Sequence, residues 1–115
     1  MEVRARLKNL RMSASKGRLV ADMVRRKSCE SALTILGASS RRASRPIEKL
    51  IRSAVANAHQ QNERHKAGID IDNLYVKTIT VDEGTRMWRI RPRAMGRAFW
   101  IKKTLSHVTV VLDER

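Results

Sequence analysis

Apolar and charged residues alternate at the start of the chain, as they do along a strand with one covered face. Positions 2–8 follow this period of two, and their apolar members are Val3, Ala5 and Leu7. A matching segment near the C-terminus, Leu105–Leu112, places Val108, Val110 and Leu112 on one face. Both segments are therefore predicted to be strands.

A third strand is predicted for Leu74–Val81, a segment rich in β-branched residues. Within it, Leu74 and Val76 are out of phase with Ile79 and Val81. Because side chains alternate between the two faces of a strand, this segment should contain a bulge or have both faces covered.

Two segments after the first strand have the apolar spacing of helices. The first helix is predicted from Ser13 to Arg26, with serine hydroxyls available as N-caps. Its apolar stripe consists of Leu19, Val20, Met23 and Val24. A second, short helix should be capped by Ser28 and end at Gly37, because glycine suits a left-handed C-terminal position.

The third helix has the clearest pattern of the chain. It is predicted to start near Arg41 or Pro46 and to end in the polar run Gln60–Gly68. Its apolar stripe consists of Ile47, Leu50, Ile51, Ala54, Val55 and Ala58. Since 115 residues suit a single domain, this order of strands and helices predicts one α+β domain over residues 1–115.

The composition is strongly basic. The chain has 25 Lys and Arg residues against 11 Asp and Glu, a formal net charge of +14. Such a surface attracts polyanions, so nucleic acid is the leading class of partner. A hydrophobic content of 42% is too high for a wholly disordered basic tail. No apolar stretch approaches the roughly 20 residues that cross a bilayer, which excludes a membrane span.

The segment between the last two predicted strands concentrates this charge. Residues 86–103 contain seven basic residues in 18, no acidic residue, and three of the four aromatic residues of the chain. Arginine makes bidentate contacts with phosphate and stacks on bases, and aromatic rings stack on bases as well. A loop of this length in a small domain is usually functional or disordered, so we predict that it binds RNA.

A second basic region covers the first strand and helix, and Arg41, Arg42 and Arg45 open the third helix. Charge on several faces predicts a polyanion that contacts many parts of the chain, unlike a DNA reader with one recognition helix. The predicted RNA-binding residues are Arg4, Arg6, Arg11, Lys16, Arg18, Arg25, Arg86, Trp88, Arg89, Arg91, Arg93, Arg97, Lys102 and Lys103.

No constellation predicts catalysis or metal binding. Ser13 and Lys16 have the Ser-x-x-Lys spacing of some acyltransferases, but such enzymes need further motifs, so helix capping is the preferred interpretation. The three histidines and Cys29 lack short-range zinc spacing, and Cys29 is predicted to be a small core residue. We therefore predict a protein that is not an enzyme and that needs no cofactor, metal or small-molecule substrate.

Five short motifs follow one another along the chain: Ser15–Asp22, Ser53–Ala58, Val81–Gly84, Pro92–Ala98 and Ser106–Val111. Their order and separation resemble the bacterial-type large ribosomal subunit protein twenty-two (L twenty-two) family over nearly the whole chain. Two places depart from that family's usual pattern. Trp88 stands where relatives carry a basic or amide side chain, and Phe99-Trp100 stands where many carry an acidic-basic pair.

The resemblance implies three helices packed on a small three-stranded antiparallel sheet, with a long protruding β-hairpin. The body would comprise about residues 1–83 and 104–115, and the basic hairpin about residues 84–103. If its two arms run from Val81 to Lys103, each has about eleven residues, and at about 3.3 Å per residue the hairpin would reach about 35 Å. Because two strands alone are marginally stable in water, the free hairpin is expected to be mobile and to be ordered by rRNA.

The resemblance also implies a function. The chain would be a structural constituent of the large ribosomal subunit that binds 23S-type rRNA, supports its assembly, and lines the nascent-polypeptide exit tunnel. Expected partners are this rRNA, neighbouring large-subunit proteins including the L four family, and the nascent chain, within cytoplasmic ribosomes. The hairpin tip would consist of Arg91, Pro92, Arg93, Ala94, Met95 and Gly96.

A free-standing basic regulator that binds RNA or DNA is the alternative from another class. Such a protein should dimerise or carry a recognisable reading element. The sequence has neither a helix-turn-helix signature nor an RNA-recognition aromatic motif, which disfavours the alternative.

Overall fold

The computed structural model describes residues 2–66 and 68–114, so Met1, Ala67 and Arg115 of the predicted domain lie outside the described residues. The elements are β1 (Val3–Leu10), α1 (Ala14–Val24), α2 (Cys29–Ala38), α3 (Ser44–His65), β2 (Leu74–Pro92) and β3 (Ala98–Glu114). Short 3-10 turns precede β2 and join β2 to β3. The predicted α+β class and the predicted strands and helices are confirmed.

The strands form one antiparallel sheet in the order β1-β3-β2. Val108 in the central strand lies opposite Leu7 on one side and Val81 on the other, and Leu112 lies opposite Val3 and Val76. These residues and the apolar faces of the helices form one buried core cluster, with Leu7 packed partly buried against it. One face of the sheet is therefore covered by helices, as the alternating pattern predicted.

Two bulges interrupt the pairing of β2 with β3. The first lies between Val76 and Thr78 and places both Val76 and Ile79 on the core side. Thr78 is exposed, so the phase slip reflects a bulge and not a strand with two covered faces. The second bulge lies between Glu83 and Arg86, where the strands leave the body.

Beyond this point the two long strands form a protruding hairpin. The pairing of β1 with β3 ends at Ser106, while β2 and β3 stay paired as far as Pro92 and Ala98. The Cα radius of gyration is 17.4 Å and the longest dimension is 64 Å, whereas a compact chain of this length would have a radius of about 13 Å. The predicted long hairpin is confirmed.

Helix α1 differs from its prediction in the face that it buries. Its core side is formed by Ala14, Gly17, Val20, Ala21 and Val24. Leu19 is 54% exposed, so its assignment to the buried stripe was wrong. The cause is close packing, since a Cβ on Gly17 would lie 3.1 Å from Val81 Cγ1. Ser13 occupies the N-cap but makes no side-chain capping bond, which corrects the predicted capping.

Helix α2 begins as predicted and ends differently. The Ser31 N–H donates to Ser28 Oγ at 3.2 Å, which confirms Ser28 as the cap. Gly37 lies inside the helix, and Ser39 closes the end by donating its N–H to the Leu36 carbonyl. The prediction of a left-handed Gly37 was therefore wrong. Cys29 is buried, as predicted, and burial raises the pKa of its thiol to about 11.

Helix α3 starts at Ser44, between the two predicted starts, and continues to His65. Its end therefore lies within the predicted polar run Gln60–Gly68, and the Asn62 side chain joins its last turn to the following loop. Asn62 Nδ2 donates to the Ile69 carbonyl and Asn62 Oδ1 accepts from the Ile69 N–H, both at 2.8 Å. Val55 is half-buried, not fully in the core.

No helix in the described ranges is long and apolar enough to cross a membrane.

Candidate nucleic-acid interface

A cleft of about 580 Å³ lies where the hairpin leaves the body. Its basic side chains come from four parts of the chain: the end of β1, the first turn of α1, the loop before α3, and the root of β3. They are Arg11, Lys16, Arg41, Arg42, Lys102 and Lys103. Among the described residues that line this cleft, none is acidic. We call it the root cleft.

An adjoining depression of about 440 Å³ extends the root cleft along the hairpin. The two share Arg11, Arg42 and Lys103, and the extension adds Arg89. Neighbouring cations without carboxylates repel one another, and an anion relieves that repulsion. Arginine and lysine at this density suit a backbone of phosphodiesters, which can pass from the body onto the hairpin.

Local hydrogen bonds hold the two body segments that supply the root cleft. At the end of β1, the Asn9 N–H donates to His107 Nδ1 at 3.1 Å, and the Met12 N–H donates to the Leu10 carbonyl at 2.8 Å. In the loop before α3, the Arg41 N–H donates to Ser39 Oγ at 3.2 Å, and Ser39 Oγ also accepts from Ser44 Oγ at 2.8 Å. The backbone bearing Arg11, Arg41 and Arg42 is thereby fixed.

The hairpin presents two chemically different faces, because directly opposed residues of paired strands project to the same side. One face, the tryptophan face, consists of Arg86, Trp88, Ile90, Trp100, Lys102 and Thr104. The opposite face, the arginine face, consists of Met87, Arg89, Arg91, Phe99, Ile101 and Lys103. The Arg93 guanidinium lies 5.7 Å from the centre of the Phe99 ring, a cation–π contact near the tip.

The tip is a five-residue turn over 93–97, closed by an Arg93 N–H that donates to the Arg97 carbonyl at 2.7 Å. Met95 and Gly96 have φ values of 64° and 69°. Arg91 and Pro92, which the prediction included in the tip, belong to the paired end of β2. A Cβ on Gly96 would meet nothing within 4 Å, so its glycine serves the backbone conformation.

Two predicted RNA-binding residues, Arg18 and Arg25, make hydrogen bonds within the body. Arg18 Nε donates to the Val81 carbonyl at 3.1 Å, and Arg25 Nη2 donates to the Ile79 carbonyl at 2.9 Å. Arg25 also pairs with Asp22 at 3.1 Å. Both side chains therefore fasten α1 to β2, and their predicted RNA contacts would use the remaining N–H groups.

The structure does not gather all predicted residues into one site. Arg4 lies in a surface depression with Arg64, and Arg6 lies in another with Arg45 and Lys49. Arg86 lies near α1, paired with Glu83 at 3.1 Å. The predicted contacts are thus spread over β1, the root cleft and the hairpin, and their RNA binding stays a prediction.

Sequence reasoning omitted two cleft residues, Arg41 and Arg42, from the predicted RNA-binding set. They lie on a loop that is remote in sequence from both β1 and β3, and only the folded chain brings them beside Arg11 and Lys103. The sequence signal is the presence of three arginines within residues 41–45. It shows that this loop is basic but not which other basic residues it lies beside in the fold.

Comparison with known proteins identifies close relatives. The family model described as "Ribosomal protein L22p/L17e" matches residues 5–113. A protein of Myxococcus xanthus named "Large ribosomal subunit protein uL22" is 53% identical over 114 residues, which cover 99% of this chain and 97% of the relative. Proteins with the same name from Bdellovibrio bacteriovorus and Geobacter sulfurreducens are 48% and 50% identical, and cover 100% of this chain.

Proposed function

This chain belongs to the L22p/L17e family of ribosomal proteins, and from that premise we propose that it is a structural constituent of the large ribosomal subunit in the cytoplasm. It binds large-subunit rRNA through the root cleft and hairpin, supports folding and assembly of that rRNA, and lines the nascent-polypeptide exit tunnel with the hairpin. Its partners are this rRNA, neighbouring large-subunit proteins including the L four family, and the nascent chain.

The root cleft is the observation that carries the proposal. Six cations from body and hairpin line it, and no carboxylate is found among its described lining residues. A protein that reads a base sequence needs groups aimed at base edges, whereas phosphate contacts position a fold without reading it. The cleft supplies phosphate contacts from several elements at once, as a structural rRNA-binding protein requires.

Salt dependence tests this binding mode. Affinity for a large-subunit rRNA fragment should fall linearly on a plot of log affinity against log salt, because neutralised phosphates release counterions. Arg42→Gln should weaken binding and reduce the slope by about one. The matched control is Arg52→Gln on α3, since Arg52 pairs with Glu48 at 2.6 Å and lies outside the root cleft. A flat plot, or equal effects of the two substitutions, would contradict the proposal.

The hairpin supports the tunnel part of the proposal through its shape. It projects from the body, as a lining element of a conduit within the subunit would, and Met95 at its tip is 95% exposed. A photoreactive residue in place of Met95 should cross-link to nascent chains on translating ribosomes. Cross-links to rRNA alone would remove the tunnel part and leave the rRNA-binding part standing.

Sedimentation of cell lysate separates this proposal from the free-standing regulator. A constituent of the subunit should sediment almost entirely with large subunits. A regulator should be found largely in the unbound fraction, and that distribution would reject the proposal.

A further inference from the structure

The tryptophan face of the hairpin is apolar and open. Trp88, Ile90 and Trp100 are 55%, 58% and 67% exposed. Along β3 the alternation that buries Ser106 and Val108 places Trp100 on the same side. The tryptophan face is therefore the continuation of the core side of the sheet, beyond the helices that cover that side in the body.

We propose that the tryptophan face is a stacking platform for unpaired RNA bases. This inference rests on the proposed function and specifies the form of RNA that the hairpin takes. Ile90 lies opposite Trp100, and the next pair on the same face, two residues further along each strand, is Trp88 opposite Lys102. Diagonal neighbours of this kind are roughly 7–8 Å apart, close enough for their indoles to stack on neighbouring bases of one strand.

The surrounding charge identifies the occupant as nucleic acid. Lys102 belongs both to the tryptophan face and to the root cleft, so a strand with bases on the indoles can run its phosphates into the cleft. Residues 86–103 contain no acidic side chain. From Trp88 to the tip, this apolar surface is bordered by cations, and such a surface complements a single strand, in which every base has an apolar face beside a phosphate.

Paired RNA does not fit the same surface. Bases inside a duplex are stacked on one another, and their faces are closed to a protein ring. A duplex can still bind the root cleft through its phosphates. Single-stranded and double-stranded RNA should therefore differ in their effect on the indoles, although both bind.

Intrinsic fluorescence reports this difference directly, because Trp88 and Trp100 are the only tryptophans of the chain. The full chain is titrated with an unstructured RNA of about ten nucleotides, and with a duplex that has the same number of phosphates. The single strand should quench tryptophan emission, and the duplex should bind without quenching it. Trp88→Phe and Trp100→Phe, which keep an aromatic ring, assign the quenching to each position.

Affinity provides the second measurement. Trp88→Ser combined with Trp100→Ser should weaken single-strand binding at least about tenfold and change duplex binding less than about twofold. The matched control is Phe99→Ser, which removes an aromatic residue of the arginine face that is 48% exposed. Thermal unfolding of each variant shows whether the body remains intact.

The outcomes distinguish the platform from the proposed function. If neither RNA binds, or binding is independent of salt, both proposals fail. If both RNAs bind with normal salt dependence but emission is unchanged, or Phe99→Ser costs as much as the tryptophan variant, only the platform is overturned. Quenching by an unstructured apolar peptide and not by the single strand would assign the face to polypeptide and would also overturn it.

Discussion

Gly84 lies where the strands leave the body, and its lack of a side chain makes room for His107. A Cβ at this position would lie 2.9 Å from His107 Nε2 and 3.1 Å from the Leu105 carbonyl oxygen. The imidazole cannot simply move away, since its Nδ1 accepts a hydrogen bond from the Asn9 N–H. The bulge between Glu83 and Arg86 therefore depends on a glycine.

We expect Gly84→Ala to lower the free energy of unfolding by about 1–3 kcal/mol, because the added methyl overpacks the root of the hairpin. The matched control is Gly37→Ala, since a Cβ on Gly37 would meet nothing within 4 Å inside a helix. That substitution should raise the free energy of unfolding by up to about 1 kcal/mol. Urea denaturation measures both, and changes of the same sign would contradict this account.

The errors of sequence reasoning at single residues have a common cause. Leu19 fitted a helical stripe, but contact of Gly17 with Val81 turns smaller residues toward the sheet. Gly37 looked like a helix end, but Ser39 supplies the closing hydrogen bond two residues later. Local spacing contains no information on these partners, so it predicts the element more reliably than the orientation or end of that element.

At the scale of elements, α3 and the loop after it are joined by one side chain. Asn62 both donates to and accepts from the backbone of Ile69, which is 5% exposed. Asn62→Ala should lower the free energy of unfolding by about 1–3 kcal/mol, because it leaves both backbone groups of Ile69 without these partners.

Asn73→Ala is the control for this loss, since Asn73 is exposed and its amide binds only the nearby Asp70 carboxylate at 2.6 Å among its described side-chain contacts. Its effect should be within about 0.5 kcal/mol. Thermal denaturation compares the two variants, and hydrogen exchange at the Ile69 amide should accelerate only in the Asn62 variant. If the Ile69 amide exchanged equally slowly in both variants, other contacts would hold the loop.

A second link between elements depends on pH. Lys77, the bulged residue of β2, hydrogen-bonds to Glu2, the residue before β1, and its Nζ lies 3.7 Å from Asp113 Oδ2 of β3. The hydrogen bond from Lys77 and its charge lower the pKa of Glu2 below the ordinary value of 4.5. The stabilisation from Glu2 is therefore complete above that value and is lost as pH falls through the lower pKa of the folded state.

Glu2→Gln should consequently lower the melting temperature near neutral pH, and its difference from the native chain should vanish as pH is lowered below 4.5. Glu63→Gln, a substitution of an exposed glutamate on α3, is the control. Melting temperatures measured across this range test the expectation. A Glu2→Gln difference that persists unchanged in acid would exclude the link to Lys77 as its origin.

The sequence predicts strands well where one face of the strand is buried, and poorly where both faces are exposed. The phase slip between Val76 and Ile79 correctly indicated the bulge, and the exposed Thr78 decides between the two interpretations. Strand pairing over residues 86–92 has no such signal, since both hairpin faces carry apolar and basic residues. Only the resemblance to a family implied a hairpin in that segment.

At the scale of the whole molecule, body and hairpin should respond separately to substitution. Leu50 is 6% exposed in the core, whereas Arg91 and Arg93 are exposed on the hairpin. Leu50→Asp should prevent stable folding, because a buried carboxylate without a partner is costly. Arg91→Ala with Arg93→Ala should leave the melting temperature of the body nearly unchanged and reduce the salt slope of RNA binding by about two.

Thermal unfolding and RNA titration of the same two variants test this separation. Equal loss of thermal stability in both would show that the hairpin arginines support the body.

The candidate site shows the same division between what sequence can and cannot predict. Charge at Arg11, Lys16 and Lys103 was visible in the sequence, but their meeting with Arg41 and Arg42 depends on the packing of β1, α1 and α3.

The hairpin also affects how copies of the chain that are not bound to RNA interact with one another. Over residues 86–92 and 98–104 each arm pairs only with the other arm, so within the described sheet the outer edges of both arms have no neighbouring strand. Such edges favour association with further copies, and lysine or arginine along an edge opposes it by bringing like charges together. We therefore expect the charge proposed to bind RNA also to oppose association of unassembled copies, and to oppose it least at high ionic strength, where screening acts within a few ångströms.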